Sequence, residues 1–139
     1  MRLDAILRVA AKFVLPFILV FGLYVQFHGD FGPGGGFQAG IIIAAAVFLH
    51  AIIFGLGQTM RIVPPGVVEI MVPLGVLVFA GVGVAAMMTG LNYLDYSNLA
   101  QDQIHGQEWG VFLVEAGVLI TVSGTMITIF YLVAGRDRR

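Results

Sequence analysis

The chain has no cysteine, and only 11% of its 139 residues are charged, where a soluble domain carries about 25%. The missing cysteine excludes a disulfide frame, a thiolate metal site and a thiol nucleophile. It leaves the compartment open, since it is compatible with either side of a membrane. A net charge of -1 with no basic stripe excludes nucleic acid as a partner. No Ser or Cys nucleophile pairs with a base, and no set of cofactor or metal ligands gathers in the sequence. His28, His50 and His105 are too scattered to share an ion. The chain therefore reads as a membrane component without a catalytic site, cofactor or metal of its own.

What is present in quantity is hydrocarbon. The sequence is 59% hydrophobic and divides into four apolar runs near the length of about twenty residues that a helix needs to cross a bilayer. The expected fold is all-α with four transmembrane helices over about 13–27, 37–56, 67–91 and 111–134, forming one membrane domain over 1–139. Before the first run, Leu3, Ile6, Leu7 and Ala10 recur at helical spacing, with Arg2 and Arg8 between them. This suggests a short interfacial lead-in. No small-x-small cleavage site follows Phe13–Phe27, so the first run is read as a retained span, with Pro16 in its early turns. Residues 57–65, with Arg61 and the Pro64-Pro65 pair, read as a loop.

Basic residues set the orientation. Arg2, Arg8, Lys12, Arg61, Arg136, Arg138 and Arg139 all fall on one side of a four-span protein. The opposite loops hold Asp30, Asp95, Asp102 and Glu108 and no Lys or Arg. Both termini are expected to be cytoplasmic.

Small residues mark helix contact faces in lipid. The second span has Gly36, Gly40, Ala44, Ala51 and Gly55; the third has Gly75, Gly83, Ala86 and Gly90; the fourth has Gly117, Thr121, Gly124, Thr125 and Thr128. Each seam packs within the chain or against another subunit. The first span has Gly22 among Phe, Leu, Val and Ile, and is expected to face lipid.

Three groups within the spans are candidates for an ion path. Glu69 opens the third span, where the helix dipole favours a carboxylate. Glu115 lies about 7 Å inside the fourth span at 1.5 Å per residue, turned away from the Gly117–Thr128 seam. His50 lies in the inner half of the second span, as a relay or as a hydrogen-bonded packing residue. In the outer loops, His28 and Asp30 fit a solvated turn or a cation-steering mouth. Tyr93, Tyr96 and Trp109 fit an interfacial aromatic belt.

The densest feature is residues 28–40, which hold six of the nineteen glycines. Gly34 to Ala39 formally match the dinucleotide fingerprint G-x-G-x-x-A. An apolar span precedes them instead of a strand, and no acidic residue follows at the required distance. Consecutive glycines instead permit unwound backbone at a membrane boundary and close helix approach. The motif Pro33-Gly34-Gly35-Gly36-Phe37-Gln38-Ala39-Gly40, running into Ile-Ile-Ile-Ala-Ala-Ala, resembles the signature of the B subunit (MnhB family) of Mrp-type multisubunit sodium/proton antiporters. The motif resemblance covers 28–49, and length and topology are similar over the whole chain. Asp30 departs from it, standing where a His is expected.

The resemblance implies a small multi-pass subunit in the cell (inner) membrane of a prokaryote. It implies partners of the A, C, D, E, F and G types, with Na+ and H+ as transported ions and lipid as surroundings. Larger sister subunits would conduct the protons, and B would serve assembly and the sodium path. Related modules occur in redox-driven ion pumps such as membrane-bound hydrogenases, so that reading stays open, as does a purely structural assembly role.

Overall fold

The computed structural model describes residues 2–28, 34–90, 92–93 and 103–136. Asp30, Pro33, Asp95, Tyr96, Asp102 and the side chain of His105 lie outside the described residues. Within them, all regular structure is helical: α1 (Arg2–His28), α2 (Gly36–Phe54), α3 (Leu56–Ile62), α4 (Pro65–Met88) and α5 (Gln103–Gly135). Four of these are long and apolar enough to cross a membrane, over Leu3–His28, Gly36–Phe54, Pro65–Met88 and Glu108–Gly135.

Four local outcomes differ from the reading of the bare sequence, one being that α5 starts at Gln103 and not near 111. The lead-in is continuous with the first span in one 27-residue helix, because no glycine or proline interrupts residues 2–12. Pro16 therefore lies mid-helix, where its missing amide leaves the Lys12 carbonyl without a helical donor. The segment expected as a loop contains α3. Its Leu56 and Thr59 are buried, and this one-turn periodicity suffices to hold a short helix against the bundle. The third span stops at Met88, earlier than expected. There the Thr89 hydroxyl donates to the Ala86 carbonyl at 2.7 Å, and Gly90 turns back at φ 83°.

Gly55 makes the break between α2 and α3. Its φ of 98° is a conformation that side-chain-bearing residues avoid. Its amide donates to Ala51, and its carbonyl receives both the amide and the hydroxyl of Thr59. A Cβ here would meet no atom within 4 Å, so the cost of Gly55→Ala is purely conformational, about 1–3 kcal/mol. The expected result is a lower thermal aggregation temperature of the solubilised protein, with no new clash to relieve.

α5 is the central helix. Its Glu115, Leu119 and Val122 meet α2, while Gly117, Thr121 and Gly124 meet α4. At 100° per residue these sets point in nearly opposite directions. α2 therefore has α5 on one flank, and α1 on another through Gly22, whose Cβ would lie 3.1 Å from Ile43 and 3.3 Å from Ile42. The spanning helices form a row in the order α1, α2, α5, α4, bent at α2, instead of a closed square. The outward flank of α1 is a nearly continuous lipid-type surface of Phe13, Phe17, Val20, Phe21, Tyr24 and Phe27.

In the half of the bundle that holds α3, Ala44, Ala51, Leu56, Val68, Ile127 and Tyr131 form the buried cluster that ties α2, α3, α4 and α5 together. The Tyr131 hydroxyl donates to the Val63 carbonyl at 2.9 Å, which pins the α3–α4 junction to α5. The hydroxyl groups of α5 inside the apolar layer find partners at short range, as hydrocarbon demands. Ser123, Thr125 and Thr128 donate to carbonyls one turn back on α5. Thr121 instead donates across the seam to Val72 of α4 at 3.2 Å.

Candidate ion-path residues and the glycine turn

All three seams read from small residues close inside this chain, in two contacts. On α2, a Cβ at Gly36 would fall on the Glu115 carbonyl oxygen, and one at Gly40 would sit 3.0–3.1 Å from Val122 and the Leu119 carbonyl. On α4, a Cβ at Gly75 would strike Thr121 and the Gly117 carbonyl, while Gly117 and Gly124 reciprocate from α5. Only glycine permits such backbone approaches, and they supply the close packing by which helices associate in lipid. Gly83 accommodates the ring of Tyr93, which folds back on α4.

The glycine motif is the entrance to α2. Gly34 is half-buried, Gly35 and Gly36 are buried, Phe37 and Gln38 are exposed, and Gly40 is buried in the α5 seam. Gly35 has φ 130°. Its amide donates to the Val25 carbonyl of α1 at 3.3 Å, and its carbonyl accepts from Ala39 at 3.0 Å. A Cβ here would stand 3.4 Å from the carboxylate oxygen of Glu115 and 3.4 Å from the side-chain oxygen of Gln38. Glu115 is half-buried. Its carboxylate lies at the amino-terminal end of α2, where the helix dipole is positive.

The other two candidates are remote from it. Glu69 is exposed, in the second turn of α4, on a face shared with Pro73 that no other helix among the described residues covers. Pro73 has no amide to offer, so the Glu69 carbonyl also lacks its helical donor. His50 is half-buried in the last turns of α2, near α3. Its Nδ1 lies 2.7 Å from the Thr59 hydroxyl oxygen, and that hydroxyl donates to the Gly55 carbonyl. The ring packs on Phe54 at 4.7 Å and borders an apolar groove with Leu15, Leu19 and Val47. Among the described residues, no three His, Asp or Glu side chains gather to hold a metal ion.

Sequence reading passed over one residue here. Gln26 lies on the buried stripe of α1, one turn beyond Gly22, and is 4% exposed. Among the described residues, neither its amide nitrogen nor its carbonyl oxygen has a hydrogen-bond partner. The available signal was its isolation, as a lone amide at the end of an otherwise apolar run. Phe27 beside it stacks on Phe112 of α5 at 5.3 Å, closing α1 onto α5 at this end. Trp109 meets Phe112 edge-on and is otherwise exposed.

Comparison with known proteins resolves which family has this glycine entrance. Residues 6–128 match the family described as a domain related to the MnhB subunit of Na+/H+ antiporter. The chain belongs to the MnhB family. The MnhB relatives include three proteins each named "Putative antiporter subunit mnhB2". The one from Staphylococcus haemolyticus is 30% identical over 138 residues, covering 95% of each chain. Those from Staphylococcus epidermidis and Staphylococcus aureus are 30% identical over 136 and 137 residues, again covering 95% of each chain. The MnhB domain, the bacterial relatives and the four apolar helices together make this a multi-pass membrane protein.

Proposed function

We infer that this chain is an integral-membrane subunit of a multisubunit Na+/H+ antiporter, working only within its complex. The observation that carries the reading is the MnhB match over 6–128, together with the antiporter-subunit names of relatives aligned nearly end to end. The bent row supports it physically. A four-helix chain that leaves the Glu69 face of α4 uncovered needs neighbours, because a carboxylate facing lipid is costly. Those neighbours are subunits of the A, C, D, E, F and G types, in the cell membrane of a prokaryote. The whole chain acts as one membrane domain, with both termini on the cytoplasmic side, in keeping with the distribution of its basic residues.

The glycine turn serves assembly first, by letting α2 approach α5. Glu115 contributes to the cation path at the outer side and Glu69 at the inner side, bridged by groups on neighbouring subunits. His50 is held by Thr59 as a packing group. Removing this subunit from an otherwise intact complex is expected to abolish antiport in everted vesicles and sodium tolerance in cells. Antiport that survives the removal overturns the assignment. Glu69→Gln and Glu115→Gln complexes that assemble and transport at the wild-type rate would reduce the role to assembly alone.

A further inference from the structure

We propose that Gln26, the Gly35 turn and Glu115 form a hydrated binding site for a monovalent cation in the corner where α1, α2 and α5 meet. The proposal deepens the antiporter-subunit reading and rests on it. Its basis is the orphaned amide. Gln26 is 4% exposed, yet both ends of its side chain lack a partner among the described residues. Burying such a group unsatisfied is costly in any protein interior, and more so at membrane depth. A native site of this kind is explained by water or an ion.

Gly35 brings the elements together. Its amide is bonded to Val25, the residue before Gln26, and the Glu115 carboxylate oxygen lies against its other side. Gln26 is four residues on from Gly22, which contacts Ala39, Ile42 and Ile43. The same face one turn outward therefore meets the first turn of α2, because α1 and α2 run antiparallel. The oxygens available are a carboxylate and an amide carbonyl, hard donors that suit a hydrated alkali cation. Water bound to that ion also accepts from the Gln26 amide nitrogen, satisfying the second orphan. The valence follows from the antiporter-subunit reading on which the proposal rests, and the Glu115 carboxylate beside the Gly35 turn makes the ion a cation. An anion would face the Glu115 carboxylate at close range and is excluded.

Glycine at position 35 keeps the space open, since a side chain there would stand between Gln38 and Glu115. The unwound entrance to α2 thus has a reason beyond close packing.

The test uses the intact complex in proteoliposomes, with Na+ as the probe and antiport followed at fixed pH gradient. Gln26→Leu keeps the shape of the side chain and removes both polar groups. It is expected to raise the half-saturating Na+ concentration about five-fold or more, the effect of losing one ion-dipole contact. Gln26→Glu adds a second carboxylate and is expected to lower it, and this variant decides the matter if Gln26→Leu fails to assemble. Wild-type half-saturation in an assembled Gln26→Leu complex, or failing that in Gln26→Glu, overturns the site. That result, with antiport still lost on removal of the subunit, leaves the antiporter assignment standing.

Discussion

A valine at Gly36 is expected to cost the chain its place in the complex. Its Cβ falls on the Glu115 carbonyl oxygen, with the carbonyl carbon and Cα of the same residue also within contact range. A flexible side chain swings away from such a collision; backbone in the middle of a spanning helix does not. Relief requires α2 and α5 to separate along their whole shared length, which also parts Gly40 from Leu119 and Val122. Overpacking a well-filled interior costs about 1–3 kcal/mol, and a collision with backbone lies at the upper end. Because α2 also holds α1, the displacement propagates to the edge of the row. Co-purification of this subunit with a tagged neighbour should fall at least about ten-fold, the factor that 1.4 kcal/mol represents. Full co-purification with altered ion preference would show that the glycine entrance serves the ion and not the packing.

Gly75→Leu should be comparably damaging on the other side of α5, and Gly81→Leu supplies its control. A side chain at Gly75 strikes Thr121 and the Gly117 carbonyl, and it disrupts the seam closed by the Thr121 hydrogen bond to Val72. A Cβ at Gly81, less than two turns further along the same helix, meets nothing among the described residues within 4 Å. Within the isolated subunit, leucine at Gly81 should be neutral or slightly stabilising, since glycine costs about 1 kcal/mol in a helix interior. Protease resistance of the solubilised subunit should therefore fall for Gly75→Leu and hold for Gly81→Leu. Equal losses in the isolated subunit would mean that α4 packs on α5 by a different face.

The spans and the family were legible because both rest on dense local signals. Apolar runs near bilayer length and a run of glycines with few alternative uses need no tertiary information. The pairing of seams was not legible. Gly36, Gly75 and Gly117 each announce a contact face, but a glycine does not name its partner. That Gly36 meets Glu115 while Gly75 meets Gly117 depends on helix order in space. The same limit hid Gln26. Its burial arises from the bend in the row, which brings α1 onto the entrance of α2, and nothing in residues 13–27 encodes that bend. α3 was missed for a smaller reason: seven residues present too few turns for periodicity to outweigh two glycines and a nearby proline pair. Glu115 stood out as a carboxylate in an apolar run, yet its neighbours Gly35 and Gln38 lie some eighty residues away in sequence.

The row of helices decides who shares responsibility for the ion. Away from the corner where α1 meets α5 and from the α3 end, the described residues form a partition one helix thick, with α5 bordered by α2 and α4. A partition encloses no continuous passage. Any route past it from one side of the membrane to the other has this chain as one bank and another subunit as the opposite bank. Substitutions here that change ion preference should accordingly be repaired by compensating changes in a neighbour more often than by second changes within the chain.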